Sequence, residues 1–136
     1  MRIFLDANIL FSAAQSDGAV RRLLAMLARA GHELWVDGYV AEEARRNIGV
    51  KAPDRLSELE THLSKMKWAG GQASADSTPF TRALPEKDRP VLGAAIRLGC
   101  DALVTGDSTH FGPCYGKTIG GVMVCSPRQL AEKLLL

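Results

Sequence analysis

Four acidic side chains stand where a folded chain could bring them together. Asp6 directly follows the short apolar run Ile3-Phe4-Leu5, and Asp107 lies one glycine beyond a second run, Ala102-Leu103-Val104-Thr105. Asp88 opens an amphipathic segment that ends at Gly99, and Glu43 sits in Glu42-Glu43-Ala44-Arg45-Arg46. Two carboxylates about 4 Å apart at an effective dielectric of about 20 repel by roughly 4 kcal/mol. A cluster of four would therefore take up protons or hold a divalent cation. Oxygen-only ligands favour a hard ion, Mg²⁺ or Mn²⁺, which keeps waters and can bind a phosphate oxygen as well. One or two such ions would activate water and stabilise the leaving oxygen of an in-line phosphodiester displacement.

Taken singly, each acid has a plainer role. Asp6 or Gly106-Asp107 could begin a turn, Asp88 could complement a helix N-terminus, and Glu43 could pair with Arg46 or Asn47. Their joint placement is what points to a shared site.

That placement depends on the elements around them. Ile3-Phe4-Leu5 has the pattern of a strand buried on both faces, and a helical region begins at Asn8 and runs to Ala14. The spacing of Val20, Leu23, Leu24 and Leu27 predicts a helix over 18–30, stopped by Gly31. Leu34-Trp35-Val36 reads as a second strand, closed by Asp37-Gly38. A short helix over 40–48 puts Val40, Ala41, Ala44 and Ile48 on one apolar face. Glu43 then lies on the flank, about 110° from the centre of that face, and Glu42 points away from it.

Residues 53–66 read as another helix, with Leu56, Leu59, Leu63 and Met66 spaced for packing. Residues 69–85, which include Gly70-Gly71, Pro79 and Pro85, form the longest expected loop. A helix over 88–99 and a strand over 102–105 follow, then a last strand over 121–125 and a last helix over 127–136. Alternating strands and helices imply one α/β domain over 1–136, with a central, mostly parallel sheet of four or five strands flanked by helices. Ligand sites in such sheets lie beyond the carboxyl ends of the strands. Asp6 and Asp107 belong at that edge.

A length of 136 residues, 46% hydrophobic and 24% charged, is that of one ordinary globular domain. The formal net charge of +2 permits a nucleic-acid partner without requiring one. Cys100, Cys114 and Cys125 are odd in number and form no C-x-x-C pair, which argues against a disulfide framework or a structural zinc. No apolar run approaches the length of a membrane span, and no secretory pattern precedes Asp6. We therefore expect a soluble, cytoplasmic protein.

Asp6-Ala7-Asn8 after the first strand, Glu43, the run Lys87-Asp88-Arg89-Pro90-Val91-Leu92-Gly93-Ala94-Ala95, and Leu103-Val104-Thr105-Gly106-Asp107 with His110-Phe111 together resemble PIN-domain proteins. The resemblance covers nearly the whole chain in length and motif order. Its most specific part is the 88–107 block; Asp-x-Asn alone would be weak. It implies a three-layer α/β fold with a central parallel sheet and a Mg²⁺- or Mn²⁺-dependent ribonuclease that hydrolyses RNA. The family's acidic quartet carries over onto Asp6, Glu43, Asp88 and Asp107 as catalytic and metal-binding residues. Asn8 and Thr105 match polar positions beside the quartet and are expected at the substrate.

Many small bacterial members are VapC-type toxins, commonly dimeric and neutralised by an antitoxin. The resemblance therefore also implies a toxin with an antitoxin partner, in a homodimer. There is one departure. Many members carry a further acid a few residues after the position of Asp107, but this chain reads Ser108-Thr109-His110. That weakens the case for a second metal ion, and His110 reads either as a phosphate contact or as a cap for its loop, the cap being the plainer reading. Arg45 and Arg46 read either as cations for RNA or as a solvated helix face.

Other chemistries fit less well. Gly112-Pro113-Cys114-Tyr115-Gly116-Lys117-Thr118 is one residue short of a phosphate-binding P-loop, and no helix is expected after it. Ser12 and Ser108 lack the G-x-S-x-G elbow of a serine hydrolase. An aspartyl-phosphate phosphatase could use Asp6 as nucleophile, but Asn8 stands where its second acid is needed. A PIN-like module that binds RNA or acts as a scaffold without catalysis is the remaining alternative; all four acids are present, which favours catalysis.

Overall fold

The computed structural model describes residues 1–70 and 84–135. Most of the expected loop over 69–85 lies outside those residues. The described chain runs β1 (Arg2–Leu5), α1 (Ala7–Gln15), α2 (Ala19–Arg29), β2 (Glu33–Val36), α3 (Gly38–Lys51), α4 (Leu56–Ser64) and β3 (Lys67–Trp68). After the gap come α5 (Arg89–Arg97), β4 (Ala102–Val104), α6 (Ser108–Phe111), β5 (Thr118–Ile119), β6 (Val122–Cys125) and α7 (Pro127–Leu134). Short 3₁₀ turns at Pro53–Arg55, Glu86–Asp88 and Gly112–Cys114 join some of them.

The strands form one sheet in the order β3-β2-β1-β4-β6-β5. Every pairing is parallel except β5 with β6. Among the described residues the sheet has six strands where the sequence predicts four or five, because β3 and β5 are two residues each. Two residues are too few to show any hydrophobic period. The β5–β6 hairpin turns on Gly120-Gly121, with φ of +57° and +85°. Both residues need the left-handed conformation that glycine adopts without strain. A Cβ on Gly120 would also stand 2.9 Å from Ile96 Cδ1.

Ile3, Phe4 and Leu5 of β1 are fully buried, as are Ala102 and Leu103 of β4, so the sheet centre is covered on both faces. Helix α1 packs against α2, α3 and α4, while α5 contacts α3 and β4, and α7 contacts β6 and α2. Helix α3 buries Val40, Ala41, Ala44 and Ile48, leaves Glu42 exposed and holds Glu43 half-buried on the flank. It begins at Gly38 rather than Val40, because the buried Asp37 carboxylate caps it and accepts from the Val40 N–H at 3.1 Å. The segment over 53–66 divides into the 3₁₀ turn and α4, which stops at Ser64. All three cysteines are free. Among the described residues no helix is long and apolar enough to cross a membrane.

The strand order creates the cleft. From β1 the chain moves to β2 on one side, and β4 later returns to pair with β1 on the other. This reversal opens a crevice beyond the carboxyl ends of β1 and β4, the usual binding position in an open parallel sheet. Asp6 follows β1 directly and Thr105-Gly106-Asp107 follows β4.

Candidate metal centre and acidic cleft

Asp6 is both the N-cap of α1 and the innermost acid, only 4% exposed. Its Oδ1 accepts from the Ala7 N–H at 2.8 Å. Its Oδ2 accepts from the Thr105 hydroxyl at 2.8 Å and from the Asn8 amide at 3.1 Å. Thr105 is fully buried, and its hydroxyl also accepts from Asn8 Nδ2 at 3.3 Å and the Asp107 N–H at 3.1 Å. One donated and two accepted bonds use the whole capacity of a hydroxyl. Asn8 completes the link, its Oδ1 accepting from the Gly106 N–H at 2.7 Å. The ends of β1 and β4 are thus held together by polar side chains at the point where the acids meet.

Asp107 caps the one-turn α6, its Oδ1 accepting from the His110 N–H at 3.1 Å. That turn brings the His110 ring back over the acids. Its Nδ1 lies 2.7 Å from Asp88 Oδ2 and 2.9 Å from Asp107 Oδ2. To the two readings the sequence offers for His110, the structure adds that its ring stands between two members of the quartet. One signal was present, since Asp107 and His110 are three apart and share a face if the segment is helical. Nothing in Ser108-Thr109 marked a helix of four residues.

Asp88 ends the 3₁₀ turn before α5 and is 8% exposed. Glu43 approaches from α3, near enough that its charge and that of Asp88 act on Asp6. The structure therefore brings the four acids to one cleft, with Asp88, Asp107 and His110 the tightest group. One ligand atom from each of these three lies within 4.8 Å of the others.

Two tyrosines absent from the sequence reading frame the cleft. The Tyr39 hydroxyl donates to the Lys87 carbonyl, fixing the main chain beside Asp88. The Tyr115 hydroxyl donates to the Thr105 carbonyl at 2.8 Å. Neither contact has a local signal; they join residues 48 and 10 positions apart. We expect Tyr39→Phe to fold normally, losing about 1 kcal/mol with one partly exposed hydrogen bond. Any activity that depends on Asp88 should fall several-fold, and urea melts beside rate measurements separate the two effects.

The electrostatics follow from burial. Burial pushes the Asp6 carboxyl up to about 6, against the pull of the Thr105 and Ala7 hydrogen bonds, and the charges of Glu43 and Asp88 add to the rise. Asp88 is also raised, first by burial and then by Asp107, while His110 and Lys87 oppose the shift. Tyr39 and Tyr115 are raised by burial and the surrounding carboxylates, so their hydroxyls stay donors at neutral pH.

A folded pKa above the unfolded one means the native state holds the Asp6 proton more tightly. The cost of ionising Asp6 is absent below the unfolded value of 3.8 and complete above about 6. A shift of about two units corresponds to roughly 3 kcal/mol. In chelator, Asp6→Asn should therefore gain melting temperature relative to the natural chain as pH rises from 4 to 7. A difference that is flat across this range would refute the burial argument.

Of the two arginines proposed for RNA, Arg45 is engaged elsewhere. It pairs with Glu60 at 2.6 Å and Glu42 at 3.3 Å, and its guanidinium stacks 5.9 Å from the Trp68 ring centre. Arg46 is exposed, and its charge reaches the Tyr39 hydroxyl, which places it beside the cleft. A separate cavity of about 360 Å³, lined by residues including Leu24, Leu34, His62 and Met66, shares no residue with the acids.

The donor set fits a divalent ion. The carboxylates supply hard oxygens, and the buried Asp88 Oδ2 and His110 Nδ1 have no aligned hydrogen bond. A family model described as PIN domain matches residues 2–109. A search of curated protein sequences finds no match. Among solved structures, VapBC2 from Rickettsia felis bound to a promoter DNA fragment is similar with a TM-score of 0.66 at 20% identity, over 93% of this chain and 98% of that one. FitAB bound to an IR36 DNA fragment is similar with a TM-score of 0.62 at 14% identity, over 92% and 94%. FitAcB from Neisseria gonorrhoeae is similar with a TM-score of 0.58 at 14% identity, over 93% and 98%.

Proposed function

Because the chain belongs to the PIN-domain family, we propose that it is a divalent-metal-dependent ribonuclease that hydrolyses RNA phosphodiester bonds. The observation that carries this reading is the convergence of Asp6, Glu43, Asp88 and Asp107 at the switch point of a parallel sheet. Those four carboxylates would hold Mg²⁺ or Mn²⁺. When bound, the ion supplies Lewis-acid charge at the scissile phosphate and lowers the pKa of a bound water.

The chain's own residues then have separate tasks. Thr105, expected at the substrate from the sequence, is buried with its hydroxyl fully used and positions Asp6 and Asp107. Half-buried Asn8 bonds to Asp6 and Gly106 and keeps the place at the substrate that the sequence suggests. Tyr39 fixes the main chain before Asp88. Exposed Arg46, whose charge acts on Tyr39, is assigned to the RNA backbone. An aspartyl-phosphate reading has less support. Three hydrogen bonds and burial hold the Asp6 carboxyl as a fixed acceptor, and Asn8 offers no acid to a leaving group.

We assign the protein the role of toxin in a toxin–antitoxin pair, working in the cytoplasm, with an antitoxin partner and a homodimer as its assemblies. The VapBC2 and FitAB likenesses, which span nearly the whole chain, support the partner. The test is a single-stranded RNA and tRNA pool incubated with purified protein and Mn²⁺. Cleavage that is lost with chelator and in Asp88→Asn is the expected result. Intact Mn²⁺ binding with no cleavage of any RNA would overturn the ribonuclease and favour a binding module.

A further inference from the structure

The position of His110 sets the kind of ion this cleft prefers. Its Nδ1 is 2.7 Å from Asp88 Oδ2 and 2.9 Å from Asp107 Oδ2. Neighbouring ligands of an octahedral ion with bonds of about 2.1 Å stand about 3 Å apart, so these spacings match adjacent corners of one coordination shell. The Asp88 Oδ2 atom is buried, on a side chain 12% exposed, and points at His110 without an aligned hydrogen bond. His110 Nδ1 is in the same condition. Two buried ligand atoms that face each other at ion-pair distance with no aligned hydrogen bond leave room for a cation to join them.

We propose that His110 is a metal ligand through Nδ1, completing a mixed oxygen–nitrogen donor set with Asp88 and Asp107. The ring takes part in its neutral form, with the hydrogen on Nε2 and the Nδ1 lone pair on the ion. Carboxylates suit Mg²⁺, whereas imidazole suits the transition ions. The site is therefore built for a later transition ion such as Co²⁺ over Mg²⁺. The inference rests on the metal dependence proposed above, but not on RNA as the substrate.

Calorimetric titration of the full chain and of His110→Asn with Mg²⁺, Mn²⁺ and Co²⁺ tests it. The natural chain should bind Co²⁺ most tightly, and the variant should lose about tenfold or more in Co²⁺ affinity with little change for Mg²⁺. A second readout needs no variant. Pulsed electron paramagnetic resonance of the Mn²⁺-loaded natural chain should show coupling to an imidazole nitrogen. The other two histidines lie elsewhere, His32 beside the Met1 amino group at 3.2 Å and His62 beside Glu58 at 3.3 Å. Bound Mn²⁺ without nitrogen coupling, or unchanged or tighter Co²⁺ binding in the variant, would make His110 a counter-charge and overturn the inference while metal dependence stands. A natural chain that binds none of the ions would overturn both.

Discussion

Asp107→Asn should abolish metal-dependent RNA cleavage, by at least about 10³-fold, while the fold survives. A metal held by carboxylates supplies several kcal/mol of transition-state charge stabilisation, and each 1.4 kcal/mol or so is a factor of ten in rate. Asn is as good a helix cap as Asp, so its side-chain oxygen can still accept from the His110 N–H that Asp107 holds at 3.1 Å. The substitution also relieves the repulsion that helps to raise Asp88. The cost therefore falls on the cleft and not on the core. Rates measured beside thermal melts decide the matter. A folded variant that keeps a tenth of the activity would remove Asp107 from the assigned role, and one that unfolds would refute the claim that the cost spares the core.

The second large effect is expected for Thr105→Val. Valine fills nearly the same volume but leaves the Asp107 N–H without its acceptor and removes one donor from Asp6 Oδ2. Orphaned buried polar groups cost about 1–3 kcal/mol each, so we expect a loss of roughly 2–4 kcal/mol in urea unfolding. The Thr105 hydroxyl also favours the charged form of Asp6, holding its pKa below what burial alone would set. Without it the carboxyl should rise further, and the acidic limb of the pH–rate profile should move to higher pH. Thr105→Ser keeps the hydroxyl and should restore the profile. A Thr105→Val chain with unchanged stability and an unchanged acidic limb would show that the hydroxyl does not hold Asp6.

Much of the site was legible because its signals are local. A carboxylate just past a buried strand needs only the strand and the rule that parallel sheets bind at their carboxyl edge. The flank position of Glu43 follows from helix geometry, and the structure holds it half-buried beside buried Val40, Ala41, Ala44 and Ile48. What failed was short or non-local. Strands β3 and β5 carry two residues each, below any detectable period. Helix α6 has four, held by the Asp107 cap, and without it His110 reads as a loop residue. Tyr39 and Tyr115 act through hydroxyls on carbonyls that are distant in sequence or reached through an intervening turn.

By itself the sequence determined the α/β class and the places of Asp6 and Asp107 beyond strand ends at the carboxyl edge of the sheet. These follow from hydrophobic spacing and strand ends, which a chain carries in its order of residues. Only the tertiary structure decided that Thr105 and Asn8 hold the acids in place. Only it turned Tyr39 onto the Lys87 carbonyl and set His110 between Asp88 and Asp107. The reason is physical: hydrogen-bond direction and ligand spacing exist only once β1 and β4 lie side by side, whereas the pattern that makes them strands is written along each one separately.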